Sequence, residues 1–382
     1  MSSSALKTIR VCVVGALAFV GAAVPLGVAG ATGSSSRAVT DSAASLALRA
    51  TAVSAAQAGA GWIARDLSAS GALVDAETHL PSAGDTTDAV LALVAAGVGA
   101  NQVKAATSWL EHNFASYVSS KGIDSAGRLG LLILATVAAG ADPYHFGGKT
   151  HANDLVARLE ATEQVTGASA GAFGIGPDVN AFDQSLALLA LASVKSLGKQ
   201  TKAAESYLAS LQCTDGGWEY SRTSKITPCA TPNPKNYSSP DTNTTALAVM
   251  ATLATGGHFS DSPVTFFKDS QETNGSFGVY GVAGEGQSGD PDSTAYVIQA
   301  LTALKVINSP QFVRSGTTPE QALARFQYGC KASVSERGEY SYFGAPSQLA
   351  TLQAVPAAAE AAFPILPRKL SVAEPRLSCG AG

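Results

Sequence analysis

Charge is scarce in this 382-residue chain: 14% of residues are charged, with 25 Lys and Arg against 29 Asp and Glu. No basic run is interleaved with aromatics, so nothing points to nucleic acid as a partner. Aromatics are only 7% of the residues, thin cover for a cavity that must stabilise carbocations. None of the five histidines stands near a cysteine at a ligand-like spacing, so no zinc site is expected. The apolar run Val11–Val24 is shorter than the ~20 residues that span a bilayer. No lipobox precedes Cys12, which argues against a lipid-anchored form.

What the N-terminus does hold is an export signal. Lys7 and Arg10 are the only charges before the apolar run, and Ala29-Gly30-Ala31 fits the small-x-small cleavage rule. The reading is a signal peptide over 1–31 and a flexible Ser/Thr/Ala leader over 32–42, against a retained anchor as the competing interpretation. The protein is therefore expected outside the cell, with no stable membrane span after cleavage. Cleavage removes Cys12 and leaves Cys213, Cys229, Cys330 and Cys379, an even number that favours disulfides in an exported chain. Of the three pairings, one would close the loop after Cys213 through Cys229. It would also tie the C-terminal tail to the body through Cys330 and Cys379.

Between leader and tail the chain repeats. Ala204, Tyr207, Leu208 and Leu211 recur at helical spacing up to Gln212, and Gly216-Gly217-Trp218 then stops the helix. A second helix, Ala246–Ala254, is apolar nearly all round and so must be buried on every side. The same outer-then-inner unit returns with Gln271 and Gly275-Ser276-Phe277 before Asp292. Weaker copies carry Gly71-Ala72-Leu73, Gly171-Ala172-Phe173 and Gly338-Glu339-Tyr340, and a further outer segment, Val103–Phe114, precedes Asp124. Inner helices are predicted to start at Asp85, Asp124, Asp183, Asn243, Asp292 and Ser347. Six such hairpins over 43–355 predict an all-α toroid of two concentric rings, with an open solenoid as the alternative. Residues 356–382, punctuated by Pro356, Pro364, Pro367 and Pro375, are expected to form an extended tail.

The segment from Lys202 through Gln212 to Gly217-Trp218 resembles the glutamine–tryptophan repeat of the prenyltransferase and squalene-cyclase superfamily. Asp290-Pro291-Asp292-Ser293-Thr294-Ala295 is similar to the Asp-x-Asp-Asp-Thr-Ala segment that carries the protonating acid of class II cyclases, with Ser293 replacing the third Asp. The resemblance spans about residues 50–355 and implies the α/α toroid, a fold that also serves non-catalytic carriers. Gly329-Cys330 is followed by Lys331-Ala332-Ser333 rather than Glu-Gln, so no complement-type thioester is expected. The export context is closer to the cobalamin-carrier α-domain, where polar residues at inner-helix starts hold the ligand. By repeat position these are Asp183, Asn243 and Asp292.

Asp85, Asp124, Asp183, Asn243 and Asp292 read first as helix caps. Their convergence on one rim also offers carboxylates and free amides to a ligand. The expectation is thus an exported, non-catalytic toroid that binds a small molecule at the rim, or a separate protein partner. No cofactor is required, although the resemblance implies a cobalamin-like ligand. The alternatives are a cyclase-like enzyme using Asp292 as acid, or a polysaccharide-active enzyme. N-terminal sequencing of the exported protein should begin at Thr32; an intact Met1 in the membrane fraction would contradict the signal-peptide reading.

Overall fold

A computed structural model describes residues 55–67, 70–175, 179–222, 228–231, 239–284, 289–377 and 379. The expected signal peptide and leader, and the centre of the loop from Tyr220 to Ser239, lie outside the described residues. Helical residues 55–66 form α1. The inner helices are α2 (Ala83–Ala96), α5 (Ala126–Ala138), α7 (Ala181–Ser193), α9 (Thr242–Thr255), α11 (Pro291–Ala303) and α13 (Gln348–Ala358). Outside them lie α1, α3 (Ala100–Asn113), α6 (Leu155–Glu160), α8 (Lys199–Ser210), α10 (Pro263–Ser270) and α12 (Pro319–Ala324), with α4 (Ala115–Val118) a single turn between α3 and α5. Amphipathic α8 buries only Thr201, Ala204, Tyr207 and Leu208, whereas α9 is buried continuously from Thr242 to Thr252. The apolar pattern therefore sorts the helices into an outer and an inner layer.

Each inner helix packs on two others, in the order α2, α5, α7, α9, α11, α13 and back to α2. The ring is closed: an open solenoid would leave α2 and α13 without a shared face. The chain is an all-α toroid of six outer/inner pairs.

One set of contacts repeats around it. The glycines Gly71, Gly171, Gly216, Gly275 and Gly338 all have φ between 89° and 96°. Each sits on the backbone of the next outer segment, at Ala105, Ala203, Ser262, Thr317 and Ala58 respectively, where a Cβ would meet a carbonyl oxygen. Only glycine tolerates both the backbone angle and the approach. Two residues on, the buried amides of Leu73, Trp218, Phe277 and Tyr340 donate to Thr86, Thr245, Thr294 and Thr351, at 2.9, 2.9, 3.0 and 2.8 Å. Phe173 donates to Gln184 in the same place at 2.7 Å. Each acceptor stands four residues beyond the residue that caps its inner helix. The repeat glutamines complete the clamp: Gln212 Nε2 donates to the Gly216 and Asp261 carbonyls, and Gln271 Nε2 to those of Gly275 and Phe312. At the seam, Gln327 Nε2 donates to Gly338 and to Ala55 of α1, so the last repeat grips the first as any repeat grips the next. Trp218 is 1% exposed and donates Nε1–H to the Leu208 carbonyl of α8.

Short antiparallel pairings hold each aromatic segment opposite the head of its inner helix, as in Leu73 with Ser82 and Tyr340 with Ser347. α13 carries Pro356 within it, so the extended tail begins later than its expected start at that residue; after Ala358 the described residues run without helix or strand along the C-terminal end of α2. There Arg368 donates to the Ala95 carbonyl and Ser371 to that of Gly97. A guanidinium at a helix C-terminus satisfies orphan carbonyls and the local dipole together. Disulfides join Cys213 to Cys229 and Cys330 to Cys379, the second fastening the tail. Among the described residues no helix is long and apolar enough to cross a membrane.

Replacing the Trp218 clamp acceptor by an isostere, Thr245→Val, leaves a buried N–H without a partner and should cost about 1–3 kcal/mol. Thr245→Ser should restore most of it. Urea unfolding reads this directly, and an unchanged midpoint for Thr245→Val would contradict the clamp.

Candidate functional site at the inner-helix heads

The six inner helices all present their N-termini to one rim; Ser347 caps the last of them as its sequence position suggested, but at the other five the capping residue is not the one the sequence suggested. Ser82, Ser125, Asn180, Asp241, Asp290 and Ser347 accept the free amides of Asp85, Arg128, Asp183, Thr244, Ser293 and Ala350. Asp85 and Asp183 therefore stand at the third position of their helices, and Asn243 and Asp292 at the second. Asp124 precedes its cap and is held by a bidentate pair with Arg158, at 2.9 and 2.6 Å. The register slipped because Ser, Asn and Asp are equally good caps; the pairing of the aromatic segment decides which one is used. Displaced from capping, Asp85 and Asp183 stay partly exposed at the mouth of the ring, whereas Asp292 is buried.

On one side of the mouth Asp85, Asp88 and Asp183 form an acidic patch around Arg128. Asp85 accepts from Gln348 Nε2 of α13 at 3.2 Å. Asp88, one turn deeper on the same face of α2, is partly exposed, and burial together with the nearby Asp85 carboxylate pushes its carboxyl up to about 8. At neutral pH Asp88 holds a proton beside charged neighbours. Tyr117 bridges the patch: Arg128 stacks 5.7 Å from its ring centre and donates to its carbonyl at 3.0 Å. Burial and then Asp88 push the Tyr117 phenol up, against a smaller opposing effect of Arg128. Asp183 completes the patch, oriented by Asn180 Nδ2 at 2.8 Å and seated on Gly127, where any side chain would collide with its carboxylate.

The far side is closed. Phe182 of α7 lies 6.2 Å from Tyr296 of α11 in an edge-to-face contact and 6.2 Å from Tyr220. α7 and α11 flank α9, so this contact passes over the head of α9. Asn243 beneath is 6% exposed and lies 3.4 Å from the Thr242 hydroxyl. Asp292, also 6% exposed, has one carboxyl oxygen without a hydrogen-bond partner. Burial, and secondarily Asp290, raise its carboxyl well above the usual range, while Asp290 itself is pushed up by burial to about 6. Of the three residues singled out from sequence, only Asp183 thus belongs to the acidic patch; Asn243 and Asp292 are sealed on the other side.

The open part is a bowl. On α2, α5, α11 and α13 solvent reaches Asp88, Leu131, Tyr296 and Gln353, each at the sixth helical position, roughly 9 Å below the caps. Beneath them Ala92, Leu134 and Ala300 are fully buried, closing the floor. Sequence reasoning passed over Asp88, Tyr117 and Arg128. The available signals were the i, i+3 spacing of Asp85 and Asp88, and Arg128 in a ring of otherwise acidic or neutral helix heads. Among the described residues, the group of metal-ligand types that converges within 4.8 Å is Cys213, Glu219 and Cys229, whose two thiols are joined as a disulfide.

No protein-family model matches the chain, and no curated protein does so either. Solved structures match in fold. The α-1,6-mannanase of Salegentibacter in complex with α-1,6-mannotriose aligns with a TM-score of 0.53 and 10% identity, over 81% of this chain and 98% of that one. The type II terpene cyclase MstE from Scytonema, in complex with merosterolic acid A, aligns at 0.52 and 15% identity, over 83% and 98%. An α-amylase from Clostridium perfringens aligns at 0.52 and 12%, over 80% and 97%. The chain spans about half of ent-copalyl diphosphate synthase from Streptomyces platensis, 51% of its length, at a TM-score of 0.44. The likenesses to the mannanase, MstE and the α-amylase establish the toroid, in which enzymes of unlike chemistry share one architecture.

Because Asp88 is protonated when folded and ionised when unfolded between pH ~4 and about 8, the native state binds the extra proton there. Its contribution to stability is complete below the unfolded value and is lost as pH rises through about 8. Asp88→Asn should flatten this fall, gaining on the wild type most at pH 8. Denaturant unfolding at pH 5 and 8 checks it, and parallel pH profiles for the two proteins would contradict it.

Proposed function

We propose that the bowl binds a small polyhydroxylated ligand, sugar-like in chemistry, and that the protein is an exported binding protein rather than an enzyme. The observation that carries this is the pairing of Asp85, Asp88, Arg128 and Asp183 on one side of a shallow mouth with Phe182 and Tyr296 on the other. Carboxylates and a guanidinium satisfy hydroxyl donors and acceptors, a protonated Asp88 adds a donor, and aromatic faces cover the C–H surface of a ring. A bowl about one to two turns deep suits a partly hydrated ligand better than an enclosed polyprene. The two disulfides fit folding in an oxidising compartment. The mannanase, bound to α-1,6-mannotriose, supports the reading by showing a toroid that accommodates a short glycan.

One observation favours a second reading. Asp292 is a buried carboxyl whose burial favours its neutral form and which has an oxygen without a partner, and Tyr296 lies one turn deeper on the same helix face. An acid above an aromatic is the arrangement for protonating an alkene. The Asp290–Asp292 pair resembles the cyclase motif, and MstE is a toroidal type II cyclase.

Calorimetric titration with α-1,6-mannotriose, and with cobalamin as the competing ligand, separates these readings when combined with assays on squalene. The expected result is saturable sugar binding that falls about ten- to hundredfold in Asp183→Ala, the loss of one charged hydrogen bond. Phe182→Ala should weaken it similarly, whereas Asp292→Asn should not. Cyclised product from squalene that disappears in Asp292→Asn would overturn the binding reading in favour of the enzyme.

A further inference from the structure

The C-terminal tail crosses α1 at the seam, and the crossing is basic. Gly61 lies so close beneath the tail that a Cβ there would strike the Pro375 carbonyl. Arg65 stands one turn further along the same face of α1, and Arg376 follows Pro375 directly on the tail. A third segment, the turn of the last repeat, meets them there. Arg65 Nη2 donates to the Arg337 carbonyl at 3.4 Å, and Gly338 rests on the Ala58 carbonyl of the same helix. The disulfide from Cys330 to Cys379 fastens the tail to that repeat, so the crossing is held from both sides.

The two guanidiniums are short of acceptors. Arg65 Nη1 is buried and has no hydrogen-bond partner. A buried cationic N–H left unpaired is costly and calls for an acceptor from outside the chain. Neither Arg65 nor Arg376 is ion-paired to a carboxylate among the described residues, and Arg376 is exposed. The acids of the neighbourhood are engaged elsewhere. Glu374 accepts from Gln102 Nε2, Glu336 accepts the Ser333 amide at 3.2 Å, and Asp66 lines a separate cavity with Glu339. Burial, and then the charge of Arg376, lower the Arg65 guanidinium from its ordinary value, with Glu374 opposing. Two cations thus lie close enough to repel in a chain whose net charge is −4.

We propose that Arg65 and Arg376 form an oxyanion site that takes a phosphate or sulfate group, free or as an ester, and that the bound group locks the tail onto α1. Each guanidinium offers parallel N–H donors matched to a pair of oxygens. A tetrahedral dianion supplies oxygens and charge for both arginines, whereas a carboxylate has two oxygens and a single charge. Bound there, it would accept from the buried Arg65 Nη1 and cancel the repulsion between the two guanidiniums. Neither arginine belongs to the bowl, so this site stands independently of the ligand bound there.

The test is calorimetric titration of the purified protein, at constant ionic strength, with sodium phosphate, glycerol 3-phosphate and sodium acetate. Phosphate should bind saturably and acetate should not. Tighter binding of glycerol 3-phosphate than of phosphate identifies an ester as the ligand, and the reverse order a free ion. Arg376 makes no hydrogen bond within the protein, so Arg376→Gln should leave the melting temperature in phosphate-free buffer unchanged. It should weaken phosphate about tenfold, as the loss of one charged hydrogen-bonding partner. Arg376→Lys keeps the charge but loses the fork, and should fall between the two. Saturating phosphate should also raise the melting temperature of the wild type more than that of Arg376→Gln. No saturable phosphate binding, equal binding of acetate, or unchanged phosphate affinity in Arg376→Gln would overturn the proposal.

Discussion

The interaction on which the rest depends is the hydrogen bond from a buried strand-like amide to a side chain four residues into the next inner helix. In Thr86, Thr294 and Thr351 the same hydroxyl donates back to the carbonyl of the capping residue while accepting the clamp amide. Both halves of the hydroxyl are therefore satisfied inside the protein, which is what makes a buried polar group tolerable. The glycine two residues earlier brings the turn against the next outer segment, and the glutamine fastens it there. Five of the six repeats are thus bolted to their neighbours by polar contacts, with apolar burial filling the space between. Applied across the seam from Gly338 to Ala58 and from Gln327 to Ala55, the same bolt turns an array into a ring.

That arrangement decides where function can reside. Capping occupies the residue before each inner helix, and clamping occupies the fourth residue within it. The second, third and sixth positions carry neither duty: on the open side they hold Asp85, Asp88, Arg128, Phe182, Asp183 and Tyr296, and on the sealed side Asn243 and Asp292. It is also there that titration is most perturbed, with Asp88 and Asp292 both holding protons above the ordinary carboxylate range. Because the ring supports these groups from behind, their identities can vary without loss of the fold. This is why toroids as unlike as a mannanase and a terpene cyclase superpose on this one.

Much of the ring is written locally. The spacing from Gln212 to Trp218, the glycine pairs and the all-apolar run Ala246–Ala254 each have one economical structural meaning, and together they compel stacked hairpins. The site was less legible for a physical reason. Whether Ser82 or Asp85 caps α2 depends on the pairing of Leu73 with Ser82, a contact made across a hairpin. The contact of Phe182 with Tyr296, which seals Asn243 beneath it, joins residues more than a hundred positions apart. The upward shift of the Asp88 carboxyl arises first from burial in the assembled ring and then from the Asp85 charge, and burial is not written in the local sequence.

The claim that one clamp recurs in five of the six repeats, the seam included, is tested most directly by native-state hydrogen exchange at the amides of Leu73, Phe173, Trp218, Phe277 and Tyr340. If the ring is closed, all five exchange only through global opening, and Tyr340 is as protected as Trp218. Exchange at Tyr340 and Leu73 that is orders of magnitude faster than at Trp218 and Phe277 would mean that the last repeat does not grip the first, and would contradict the account.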